Sequence, residues 1–116
     1  MNFEMDKNDY GYVSKDVADI IEMIKEGSVF LETYCEKFIK DGNTKIDLIG
    51  NLCEAKTYFN LELKKQFPRT ADGKDAYNRF ARYTGLIAEY IEILDKRINK
   101  YYIDNLDDQL KKLQNN

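Results

Sequence analysis

From residue 14 onward, apolar residues recur at spacings of three and four. Val17, Ile20, Ile21, Ile24, Leu31, Tyr34, Cys35 and Phe38 form the first such series. That is the period of an amphipathic helix with one buried face. Ser14 is suited to cap its start, and Asp16 complements the dipole of its first turn. Asp41-Gly42-Asn43 is a C-terminal stop. Gly27-Ser28 falls midway and costs about 1 kcal/mol of helix propensity, which marks the place for a kink.

A second series, Ile46, Ile49, Leu52, Cys53, Phe59, Leu63 and Phe67, follows a cap at Asn43 or Thr44. Pro68 restricts Phe67 and closes it. A loop, residues 69–73, leads to a third series that starts near Lys74: Phe80, Tyr83, Ile87, Tyr90, Ile91, Leu94, Ile98 and Tyr102. Ile103, Leu106, Leu110 and Leu113 carry it almost to the last residue. Residues 1–13 show no period and read as an irregular arm, residues 14–113 as a single helical domain, and 114–116 as a tail. The expected fold is therefore all-α, a small bundle of three long amphipathic helices.

The lengths disagree. Two patterns of about 25 residues face one of about 40, which at 1.5 Å per residue is longer by roughly 20 Å. Left alone, the overhang would expose Tyr102, Ile103, Leu106, Leu110 and Leu113 as an apolar stripe. Three arrangements remove that exposure. The helix breaks near Asp104-Asn105 and folds back, the N-terminal arm covers it, or a second copy pairs with it to give a homodimer. A break and a dimer fit the pattern equally.

Composition narrows the class. At 116 residues, 43% hydrophobic and 34% charged, the chain has the makeup of one folded domain. No apolar run is long enough to span a membrane, and the first residues lack the basic start and apolar core of a secretory signal. Cytoplasmic residence is the expectation. Histidine is absent, which removes the commonest general base and metal ligand. Catalysis would have to rest on carboxylates, Lys, Arg or Tyr, so no enzyme activity and no cofactor are expected. Cys35 and Cys53 both fall in apolar patterns and read as two buried free thiols.

Charge is unevenly spread. Residues 64–82 carry six basic and two acidic groups, net +4, on a chain whose total is −3. Lys64, Lys65, Arg69, Lys74, Arg79 and Arg82, with Tyr77 or Tyr83 as a stacking surface, are the candidate site for a nucleotide or single-stranded nucleic acid, close to a helix N-terminus. An ordinary helix start, with Asp75 and Arg79 paired at i, i+4, explains the same residues. Overall acidity argues against duplex DNA. In the first helix, Asp19, Glu22 and Glu26 share one face. They serve either as a solubilising surface or, with Tyr10 and Tyr12 of the arm, as a surface for a larger basic or nucleic-acid-binding protein.

Glu89-Tyr-Ile-Glu92 and Asp104-Asn-Leu-Asp107 form an E-x-x-E and a D-x-x-D pair. They resemble the paired carboxylate motifs of the all-α nucleotide pyrophosphatases, a resemblance that implies Mg²⁺ held by four carboxylates. The second pair has Asp in place of Glu, and both pairs fall on one expected helix where the family uses two.

The leading expectation is a non-enzymatic protein-binding module, a small acidic inhibitor, immunity or adaptor protein. In build it is similar to phage and mobile-element products such as anti-defence proteins. The nucleotide or single-strand binder is the second reading and the Mg²⁺-dependent hydrolase the third.

Overall fold

The computed structural model describes residues 7–8, 10–66 and 74–114. Four helices make up nearly all of this: α1, Lys15–Glu26; α2, Ser28–Lys40; α3, Lys45–Gln66; and α4, Lys74–Gln114. They are preceded by two short strands, β1 (Lys7–Asn8) and β2 (Gly11–Tyr12). These pair antiparallel, with Lys7 opposite Tyr12 and Asn8 opposite Gly11. The class is all-α as expected, but the bundle has four helices instead of three, and the arm read as irregular contains this small hairpin.

The extra helix comes from one residue. Gly27 adopts φ 150° and ψ 160°, a conformation essentially confined to glycine, and breaks the first apolar series into α1 and α2. Its N–H still donates to the Met23 carbonyl at 3.1 Å, closing α1, while its own carbonyl accepts from Leu31 in α2. The other ends follow the sequence. The Ser14 side chain accepts from the Val17 N–H at 3.2 Å, and Thr44 Oγ1 accepts from the Asp47 N–H at 3.0 Å. Asn43 donates to the Phe38 carbonyl at 2.9 Å beside Gly42, whose φ of 98° makes the turn between α2 and α3.

The core is assembled from all four helices. Val17, Ile20, Ile21 and Ile24 come from α1, Leu31, Cys35 and Phe38 from α2, Leu48, Leu52, Ala55 and Phe59 from α3, and Ile87, Leu94 and Tyr101 from α4. No polar or charged residue among those described is buried with them. Aromatic contacts tie the arm to α3, where Tyr10 meets Tyr58 edge-on at 5.4 Å, and α3 to α4, where Phe59 meets Tyr90 at 5.2 Å. Charge pairs fix the relative run of the helices. Lys45–Asp108 at 2.5 Å and Lys56–Asp95 at 2.6 Å set α3 antiparallel to α4. Arg97–Glu32 at 3.1 Å ties α4 to α2.

Three expectations about the elements change. On α3 the buried face is Leu48, Leu52, Ala55 and Phe59, whereas Ile46 and Cys53 are exposed. Of the two thiols only Cys35 is buried. On α4, Tyr101 and not Tyr102 faces the core. The third change concerns length: α4 runs unbroken through Asp104-Asn105 to Gln114. Neither residue forbids helical geometry, and no glycine or proline lies nearby. Its 41 residues span about 61 Å at 1.5 Å per residue, against about 33 Å for α3. The longest dimension of the molecule is 65 Å accordingly, and the radius of gyration is 17.1 Å, against roughly 13 Å for a compact domain of this size.

Candidate functional site

The C-terminal third of α4 has two faces with different fates. Ile87, Leu94 and Tyr101, seven residues apart, point into the bundle. Asn105, Asp108 and Lys112 continue that side and meet the α2–α3 turn, lining a groove with Ile39, Asn43, Thr44, Lys45 and Ile46. In that groove Lys45 Nζ bonds Asp108, and this partner holds the Asp108 carboxyl below its ordinary range. The groove is therefore a polar seam that anchors α4, with Ile46 exposed on its rim.

The opposite side is apolar. Tyr102, Ile103, Leu106, Leu110 and Leu113 are between 46% and 72% exposed. At 100° per residue their mean direction lies roughly 130° around the helix from the core line. The exposure expected from the mismatch in helix lengths is thus present among the described residues, and neither a break nor the described part of the arm removes it. The arm instead packs on α1 and α3: Lys25 Nζ lies 4.6 Å from the Tyr10 ring centre and also reaches its hydroxyl at 3.4 Å. The spacing 103, 106, 110, 113 alternates three and four, the a/d pattern of a helix–helix seam. Asp107 borders it on one edge and Gln109 on the other, with Lys111 close behind Asp107.

The remaining candidates are distributed elsewhere. Glu22 and Glu26 are exposed on α1 and Asp19 is half-buried. Asp19 lines a shallow groove of about 440 Å³ with Lys15, Asp16 and Tyr34. Tyr34 donates to Asp16 Oδ1 at 3.1 Å. Burial first, and then the Asp16 charge, push the Tyr34 hydroxyl well above its usual range. Tyr10 is half-buried by the contacts above. Of the basic candidates, Lys64 and Arg82 are exposed. Arg69 and the side chains of Lys65, Lys74, Tyr77 and Arg79, like that of Tyr12, lie outside the described residues.

Glu89, Glu92, Asp104 and Asp107 do not converge. They lie on one continuous helix with about 20 Å between the two pairs, too far for one metal ion, and Glu92 is drawn to Lys96 at 3.4 Å. Among the described residues no group of three or more His, Cys, Asp or Glu could hold a metal.

Cys35 sits in the core near Tyr101, whose hydroxyl is the one buried side-chain polar atom among the described residues without a hydrogen-bond partner. Burial pushes the Cys35 thiol up to about 11, partly offset by Arg97 and Lys100. A thiol so protonated is a core residue and a poor nucleophile.

No helix among the described residues is long and apolar enough to cross a membrane. Comparison with family models, with curated proteins and with solved structures gives no match.

Proposed function

We propose that this chain is a non-enzymatic protein-binding module that acts in the cytoplasm by occupying a partner's surface, as an inhibitor, immunity or adaptor protein does. The observation that supports this reading is the outer face of α4. Five large apolar side chains stand exposed in one stripe on a regular helix, in a chain that otherwise keeps its described charges outside and its core dry. Contiguous apolar patches of this kind mark contact surfaces, and a regular helix sets them in one line along one face. The acidic α1 face with Asp19, Glu22 and Glu26 serves in this reading to steer a basic partner.

Co-purification from native cells, wild type beside Leu106→Asp/Leu110→Asp, tests the proposal. A partner retained by the wild type and lost by an equally folded double variant is the expected result. Identical recoveries from the two proteins, or none from either, would sink it.

A further inference from the structure

We infer that Gly27 is a hinge through which α1 exchanges between two copies of this chain. In the exchanged form α1 and α2 straighten into one helix, and α1 of each copy fills the α1 site of the other.

The observation that carries this is rotational phase. Two helices joined through a break need not continue each other's buried face. Yet Val17, Ile20, Ile21 and Ile24 of α1 and Leu31, Cys35 and Phe38 of α2, all in the core, fall within an arc of about 100° when residues 15–40 are wound as one helix at 100° per residue. An uninterrupted helix over these residues therefore keeps a single buried face.

The break itself is locally disfavoured. Gly27 holds φ 150° and ψ 160°, a region essentially closed to other residues. The first turn of α2 has no side-chain cap and no acidic residue. In a continuous helix the last carbonyls of α1 would accept from the leading N–H groups of that turn. The connection between the helices is one residue long, and short hinges under strain invite exchange.

The occupant is settled by the site. Val17, Ile20 and Ile21 are fully buried, and Tyr34 of α2 donates to Asp16 of α1 at 3.1 Å. A chain whose α1 has swung out bares this apolar face and leaves its own site empty. A second copy in the same state satisfies both, across a two-fold axis at Gly27. The contacts are those of the single chain, so no new interface has to form. Because α1 must leave the core to exchange, interconversion is slow.

Two substitutions act on the hinge in opposite directions. Gly27→Ala disfavours the break and favours the continuous helix. Ser28→Pro suits the first position of α2 but cannot sit inside a continuous helix, where its ring meets the Ile24 carbonyl. Each protein is refolded from urea at high concentration and analysed by gel filtration with light scattering. The wild type should yield a dimer beside the monomer of 13.7 kDa, and Gly27→Ala should raise the dimer association constant by at least ~100-fold. At high dilution that variant is a destabilised monomer. Ser28→Pro should abolish the dimer in both backgrounds, while Leu106→Asp/Leu110→Asp should leave it unchanged, which separates exchange from contact along the α4 stripe. The isolated dimer should survive dilution and revert faster in urea. A folded Gly27→Ala chain that stays at 13.7 kDa, or a dimer that persists with Ser28→Pro, would overturn the inference. Circular dichroism shows which variants fold. If Gly27→Ala does not, the wild type decides, and a wild type that gives no dimer on refolding at high concentration overturns it equally.

Discussion

Asp108 of α4 and Lys45 of α3 form a charge-assisted hydrogen bond of 2.5 Å at the point where α4 leaves the cover of the bundle. Beyond it, only about one and a half turns of α4 remain. The pair thus acts as the last clasp on the long helix. Its lowered carboxyl pKa gives a sign: the contribution is present above the ordinary carboxylate range and is lost as pH falls through the depressed value. A double-mutant cycle with Lys45→Met and Asp108→Asn should show coupling at pH 7 and none near pH 2. Because both groups are part-exposed, salt should also reduce it.

The face of α3 is checked by two neighbouring truncations. Leu48→Ala should cost about 2–5 kcal/mol in urea unfolding, because Leu48 is fully buried. Ile46→Ala should change the same midpoint by no more than about 0.5 kcal/mol, because Ile46 stands on the surface. The reverse order would mean that α3 packs with its other stripe inward.

Gly27 offers a backbone prediction. A Cβ there meets only Phe30 at 3.5 Å, an ordinary contact, so crowding is not the obstacle. The φ of 150° is. Gly27→Ala should lose about 1–3 kcal/mol of stability, measured by urea titration.

The two thiols should separate cleanly. An aromatic disulfide reagent should titrate one thiol per folded chain, Cys53, and reach Cys35 only on unfolding. Alkaline pH probes the same core. Burial raises Cys35 from 9.0 to about 11 and Tyr101 from 10.0 to about 12. Both stabilise the fold fully below their unfolded values and lose that contribution as pH rises through the folded ones. The urea midpoint should therefore fall between pH 8.5 and pH 11, and fall less in Cys35→Ala.

The sequence is most readable where a helix has one apolar face and a marked end. The series from Val17 to Phe38 lies in or against the core throughout, and Ser14, Thr44 and Asn43 act at the ends they signal. Residues 45–66 are harder, because two interleaved apolar stripes run along α3. The true one passes through Ala55, too small to register as a core marker, while Ile46 and Cys53 advertise the wrong side. Tyr101 and Tyr102 are adjacent and chemically identical, so pattern alone does not choose between them. Gly27-Ser28 marked the place of a kink, but the full split into two helices there depends on a backbone angle that spacing does not report. The apolar stripe of the candidate site was legible from the mismatch in length alone. What placed it opposite the core line, and brought Ile46 to the neighbouring rim, was the register of α3 against α4. Basic residues 64–82, which the charge pattern singled out, fall largely outside the described residues.

The overhang of α4 has a consequence for local order. Past Asp108 the helix meets only the α2–α3 turn, along its inner side, and a short helical segment with so little packing is marginally stable in water. Lys111 and Lys112 favour the carbonyl end of the dipole, but only by tenths of a kcal/mol. Amide hydrogens at the end of α4 should then exchange within the first time points, while those around Leu94 exchange at the rate of global unfolding. Contact along the stripe would supply the missing packing. The end of α4 thereby serves as a reporter whose exchange rate measures, residue by residue, how fully its outer face is occupied.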